Sequence, residues 1–217
     1  MKYKIIPFKV QEEKSNLFPI PLRCIIIGKS GSGKTTILWN IITQYWIPYQ
    51  NLYIFSKSIE QPIYQKLQEI FSGIDEIETF FYDSCDDIIP LDECKPNSLV
   101  IFDDCILEKQ QTIKDYFVRS RPKNISCIYL SQCYSLIDLQ VIRTNSNFLI
   151  IFKLSKHYIK KIWEDFITKM SIDDFHKLCN KSWKQEYGFI SINLKNEKFY
   201  NQFEEHTSTK TSTSTQT

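Results

Sequence analysis

The stretch Gly28-Lys-Ser-Gly-Ser-Gly-Lys-Thr35 decides the fold. It satisfies G-x-x-x-x-G-K-[ST] at every fixed position, the pattern of a loop whose backbone N–H groups close around an anion. Glycine permits the φ angles and close approach that turn those N–H groups inward. The helix that follows points the positive end of its dipole at the phosphates. Lys34 is placed to reach the β- and γ-phosphates, and Thr35 offers its hydroxyl to Mg2+. Gly28, Lys29, Ser30, Gly31, Ser32, Gly33, Lys34, Thr35 and Thr36 are therefore expected to line a site for ATP and Mg2+. Glycine occurs only five times in the 217 residues, and three of the five fall in this loop.

The context on either side is the one the motif demands. Leu22-Arg-Cys-Ile-Ile-Ile27 reads as a buried strand, and residues 34–46 read as a helix stopped before Pro48. Further apolar runs follow at 51–56, 77–82, 98–102, 125–130 and 148–152, with helical patterns at 62–72, 107–118 and 156–180 and a terminal hairpin over 187–200. Strands that are apolar throughout, alternating with helices, predict an α/β fold: a mostly parallel sheet covered by helices on both faces. The expected organisation is an irregular lead-in over 1–21, rich in proline, a P-loop NTPase domain over 22–203, and a disordered Ser/Thr tail over 204–217.

Composition narrows the partners and the compartment. Net charge is +2, so no global field dictates a nucleic-acid partner, and any such surface is local. No apolar run approaches the ~20 residues of a membrane helix. The first ten residues lack the apolar core of a secretory signal, so a cytosolic compartment and no membrane are expected. The seven cysteines form no C-x-x-C pair, and several lie inside apolar runs; they are read as reduced core residues. Alanine is absent while Ile, Lys and Asn abound, a bias of an AT-rich coding sequence rather than of a fold.

Leu99-Val-Ile-Phe-Asp103-Asp104 has the form of a strand delivering acids at its C-terminal end. Asp103 is the expected Mg2+ holder, through water, and Asp104 the general base for an attacking water. The bland alternative is that one of them caps the next helix. Ile125-Ser-Cys-Ile-Tyr-Leu-Ser131-Gln132 is a second strand ending in a polar pair, and Gln132 beside Asp103 would orient water at the γ-phosphate. Arg119, Arg121 and Arg143 are candidates for an arginine donated across a subunit interface, with Arg121 favoured because its turn is expected near the sheet's C-terminal edge; a solvated basic turn is the alternative.

In this order, the phosphate loop, Ile101-Phe-Asp-Asp104, Arg119-Ser-Arg-Pro-Lys-Asn-Ile-Ser-Cys-Ile-Tyr-Leu-Ser-Gln132 and Val141-Ile-Arg-Thr-Asn-Ser-Asn147 resemble the poxvirus-type genome-packaging ATPases of large DNA viruses and virophages, within the FtsK–HerA superfamily. The resemblance spans roughly residues 20–155, and Pro122 stands where relatives commonly have histidine. It implies a RecA-like core and a homo-oligomeric ring of five or six subunits. It also implies ATP-driven movement of double-stranded DNA into a preformed capsid, with a capsid or portal component as partner, in the host cytoplasm at a viral factory or with the virion. Two other classes compete: a small-molecule P-loop kinase, which has no need of Asp104 or Gln132, and a non-motor nucleotide switch in assembly. Phosphate release with and without double-stranded DNA, against transfer to small acceptors, separates the three.

Overall fold

The computed structural model describes residues 17–105 and 110–206. The remainder of the expected lead-in (1–16) and of the expected tail (207–217) lies outside the described residues. Six parallel strands, β1 (Arg23–Ile27), β2 (Asn51–Ser56), β3 (Glu78–Tyr82), β4 (Ser98–Asp103), β5 (Ser126–Ser131) and β6 (Phe148–Phe152), are extended by three antiparallel ones, β7 (Phe189–Asn193), β8 (Lys198–Asn201) and β9 (Glu204–Glu205). The order across the sheet is β3-β2-β4-β5-β1-β6-β7-β8-β9. β1, β2, β4, β5 and β6 are buried along their whole length, which is why each reads as an unbroken apolar run.

Alternate residues of each central strand feed opposite layers. Cys24, Ile26, Leu52 and Ile54 pack with Leu38, Ile41 and Ile42 of α1 (Lys34–Thr43) and with Tyr64, Leu67 and Phe71 of α2 (Pro62–Phe71). Ile25, Ile27, Tyr53 and Phe55 face the other layer. That layer is built by Ile113, Tyr116 and Phe117 of α3 (Gln110–Arg119), Ile159 and Ile162 of α4 (Lys156–Phe166), and Phe175 and Leu178 of α5 (Ile172–Ser182). Helices thus cover both faces, as expected of a P-loop domain.

Three expectations change. The single helix read over 156–180 is two, α4 and α5. Ser171 caps α5 by accepting from the Asp174 N–H at 3.2 Å, and the Trp163 indole N–H donates to the Met170 carbonyl at 2.8 Å, fixing the break. The cysteines are not all free: Cys85 and Cys105 form a disulfide, with Cα atoms 5.6 Å apart, because a 3-10 turn after β3 packs against the chain leaving β4. The sheet also runs past residue 203, since Glu204–Glu205 pairs with β8.

Candidate functional site

The phosphate loop joins β1 to α1 at the C-terminal edge of the parallel strands. The Gly28 N–H donates to the Ser131 carbonyl at 3.2 Å, tying the loop's start to the end of β5. A Cβ at Gly28 would lie 2.6 Å from Phe152 Cβ, so only glycine fits between β1 and β6. Gly33 sits at φ +102°, outside the range of side-chain-bearing residues, and opens α1. The Lys34 ammonium folds back onto the Gly28 and Lys29 carbonyls at 2.8 and 2.9 Å. Burial lowers the Lys34 pKa, against the pull of Asp103 and Asp104. The Ser32 hydroxyl is buried with no hydrogen-bond partner inside this loop. An unpartnered polar atom in an anion nest marks a place built for a ligand.

Asp103 ends β4 one strand removed from β1, and Gln132 follows β5, the strand between them. Ser30 to Thr36, Asp103, Asp104 and Gln132 line one cleft of about 340 Å3, together with Ser58, Gln61 and Tyr187. The Asp103 carboxylate is buried and accepts from the Tyr64 hydroxyl at 2.5 Å. Burial raises its pKa and Asp104 adds to this, whereas the bonds from Tyr64 and Ser56 and the Lys34 charge act the other way. Burial also raises the Tyr64 pKa far beyond working pH, so its phenol is a permanent donor. A buried carboxylate facing Lys34, beside the Thr35 hydroxyl at the start of α1, is a donor set suited to hydrated Mg2+.

Asp104 is exposed and left-handed, with φ +58°. Such a backbone is costly for a residue other than glycine and clusters at functional sites. It turns the chain so that the Asp104 N–H meets the Leu130 carbonyl at 3.4 Å. Cys105, which follows the pair, is not helical, so neither acid directly precedes a helix. The turn holding Gln132 is pinned by the Ser131 hydroxyl, which donates to the Cys133 carbonyl and accepts from its N–H, both at 3.1 Å.

The arginines lie elsewhere. Arg121 opens a 3-10 turn that enters β5 from its N-terminal end, the edge opposite Gln132. The expectation of a C-terminal position is therefore corrected: a turn preceding a parallel strand lies at the far edge, about 17–20 Å from the strand's end for a strand of this length. Arg121 lines a separate pocket there with Asn147 and Lys195. Arg119 is exposed, 3.7 Å from Asp92. Arg143 is buried, paired with Asp165, bonded to the Ile137 carbonyl at 3.3 Å and stacked 4.2 Å from the Tyr134 ring centre; it is part of the core and not a free finger. Sequence reasoning missed Tyr64 and Tyr187. Tyr64 lies within the helical pattern over 62–72 and Tyr187 at the start of the expected hairpin over 187–200, and neither pattern carries a signal for the cleft.

Residues 9–184 match the model of the family described as Poxvirus A32 protein. The chain belongs to that family. Membership extends beyond the motifs that carried the resemblance, over most of the polypeptide. No curated protein matches the chain. Solved structures share its fold. The genome-packaging NTPase B204 of Sulfolobus turreted icosahedral virus 2 with sulfate shares 15% identity at a TM-score of 0.60, over 83% of this chain and 95% of that one. The same protein with AMPPCP gives 12% identity and 0.59, over 83% and 96%. B204 of Sulfolobus turreted icosahedral virus, a DNA-packaging ATPase, gives 14% and 0.60, over 86% and 99%. At these identities the likeness is one of fold. Among the described residues no helix is long and apolar enough to cross a membrane.

Proposed function

We propose that this chain is the ATPase of a viral genome-packaging motor, hydrolysing ATP to ADP and phosphate to drive double-stranded DNA into a preformed capsid. One observation carries the reading. The phosphate loop, a buried metal-type carboxylate, an exposed left-handed carboxylate and a pinned glutamine meet at one edge of the sheet, in a chain of the A32 family. A kinase of this loop class has no use for Asp104 and Gln132 in that arrangement.

The loop N–H groups and Lys34 bind the phosphates, and Lys34 exchanges its two carbonyl partners for phosphate oxygens. Thr35 and Asp103 are the residues that hold Mg2+, which when bound neutralises charge on the phosphates. Asp104 accepts the proton of the attacking water, and the Gln132 amide orients that water toward the γ-phosphorus. The Arg121 side chain, at the opposite edge, meets a γ-phosphate only of a neighbouring subunit, where it stabilises the transition-state charge. A ring of five or six subunits, a capsid or portal partner and a site of action in the host cytoplasm or on the virion complete the proposal.

The test is phosphate release by wild type and Lys34→Ala, with and without double-stranded DNA, beside transfer to nucleoside and nucleotide acceptors. DNA-stimulated release that Lys34→Ala abolishes is the expected result. Phosphoryl transfer to a small acceptor, or slow turnover indifferent to DNA, would overturn it in favour of a kinase or an assembly switch.

A further inference from the structure

Tyr187 stands out on three independent grounds. It is 60% exposed, an unusual state for a large aromatic in this chain, which buries most of its rings. Its backbone is left-handed, with φ +57°, a strained state for a tyrosine. It also lines the phosphate-loop cleft, packing over the loop: a Cβ placed on Gly33 would lie 3.5 Å from both Tyr187 Cβ and Cδ1.

The fold explains how it gets there. β7 runs antiparallel to β6, so its start lies at the edge where the parallel strands end. Phe189 pairs with Phe152 across the two strands, and their ring centres are 5.2 Å apart. Phe152 itself abuts Gly28 and Gly33. The Tyr187 turn is closed by the Gly188 N–H donating to the Gln185 carbonyl at 3.1 Å, and the Gln185 amide oxygen accepts from Gln202 on the hairpin at 3.0 Å. The ring is thus mounted on the same rigid wall as the phosphate loop.

Position along the edge assigns its role. The order β4-β5-β1-β6-β7 sets Asp103, Asp104 and Gln132 on one side of the loop and Tyr187 on the other. A nucleotide whose γ-phosphate faces the acids leads its ribose and base away from them, toward β6 and β7. We infer that Tyr187 is the platform on which the nucleobase stacks. The ligand class is a planar aromatic base joined to the phosphates, and the contact adds affinity for nucleosides that bare polyphosphate does not receive. This rests on the nucleotide-binding reading of the cleft and specifies its second half.

The experiment measures equilibrium binding of ADP and of inorganic tripolyphosphate to wild type, Tyr187→Ala, Tyr187→Gly and Tyr187→Phe. The glycine variant removes the ring without the backbone strain that alanine carries at positive φ. Loss of a base–aromatic stack costs about tenfold or more in affinity. The expected result is that Ala and Gly variants bind ADP at least about tenfold more weakly, bind tripolyphosphate within twofold of wild type, and that the Phe variant keeps ADP affinity. Equal weakening of both ligands would overturn the proposal by making Tyr187 a support of the loop. Unchanged ADP binding would overturn it by placing the base elsewhere. Failure of wild type to bind either ligand, or binding indifferent to Lys34→Ala, would instead strike at the nucleotide site itself.

Discussion

Replacing Tyr64 by Phe removes one oxygen atom and leaves the ring in the core. Tyr64 is fully buried on α2, and its hydroxyl donates to Asp103 Oδ2 at 2.5 Å. A hydrogen bond to a charged group contributes about 1.5–3 kcal/mol. Ser56 also bonds Asp103 and remains in the variant, so the lower end, about 1.5–2 kcal/mol, is expected. The sign follows from which form the bond favours. Burial raises the Asp103 pKa, and Tyr64 holds it down by stabilising the carboxylate. Its contribution is therefore present above the titration of that carboxyl and is lost as pH falls through it. Denaturant unfolding of the unliganded protein should show Tyr64→Phe destabilised most at alkaline pH, with the deficit shrinking on acidification. In an Asp103→Asn background, where the amide oxygen still accepts a neutral hydrogen bond, the same change should cost less and show no pH dependence. The acid limb of kcat/KM should move to higher pH, and the affinity for Mg·ATP should drop about tenfold. A deficit that is flat with pH, or that is undiminished in Asp103→Asn, would refute the reasoning and leave Tyr64 a packing residue.

Three further outcomes follow. Asp104→Asn should keep Mg·ATP binding yet slow hydrolysis by about 10²–10⁴-fold, as loss of a general base does, whereas Asp103→Asn should lose metal-dependent affinity; equal loss of affinity in both would contradict the separation. Arg121→Ala and Asp104→Asn should each abolish oligomer-dependent turnover and, when mixed in one ring, restore part of it; no recovery in proven mixed rings argues against an arginine acting between subunits. Unfolded, unreduced protein should titrate five thiols of its seven cysteines, and reduction should lower the unfolding free energy by about 3 kcal/mol for a loop of this length; seven thiols, or no change, would remove the Cys85–Cys105 bond.

Much of this was legible from the chain. The central strands were found because burial on both faces leaves nothing but apolar residues, and the phosphate loop because its chemistry tolerates few alternatives. Asp103, Asp104 and Gln132 share one cleft because a parallel sheet delivers the ends of neighbouring strands to one edge; their roles are the proposal above. What failed depends on contacts between distant segments. The Tyr64–Asp103 bond and the Cys85–Cys105 bridge join residues whose separation carries no motif. Arg121 was misplaced because the rule for functional edges concerns turns that follow strands, and this turn precedes one. The break between α4 and α5 did have a signal, Ser171-Ile-Asp-Asp174, a capping pattern overridden by the helical periodicity on either side.

The acid side of the loop is held firmly, and this bears on how a motor would be timed. Three consecutive residues there are each fastened by a different device: Asp103 by Tyr64, Asp104 by its left-handed turn onto Leu130, and Cys105 by the bridge to Cys85. The Gln132 turn is clamped by Ser131. A catalytic edge fixed so closely to its own sheet has little freedom to switch itself on. Under the proposed ring, the missing charge arrives from outside, and Arg121 stands on the edge of the sheet opposite its own nucleotide cleft. A residue so placed serves another subunit when the N-terminal edge of one sheet meets the C-terminal edge of the next. That is a heterologous, head-to-tail contact, the kind that closes into rings. Timing of hydrolysis would then belong to the interface, with the site inside each subunit kept ready and incomplete until its neighbour closes on it.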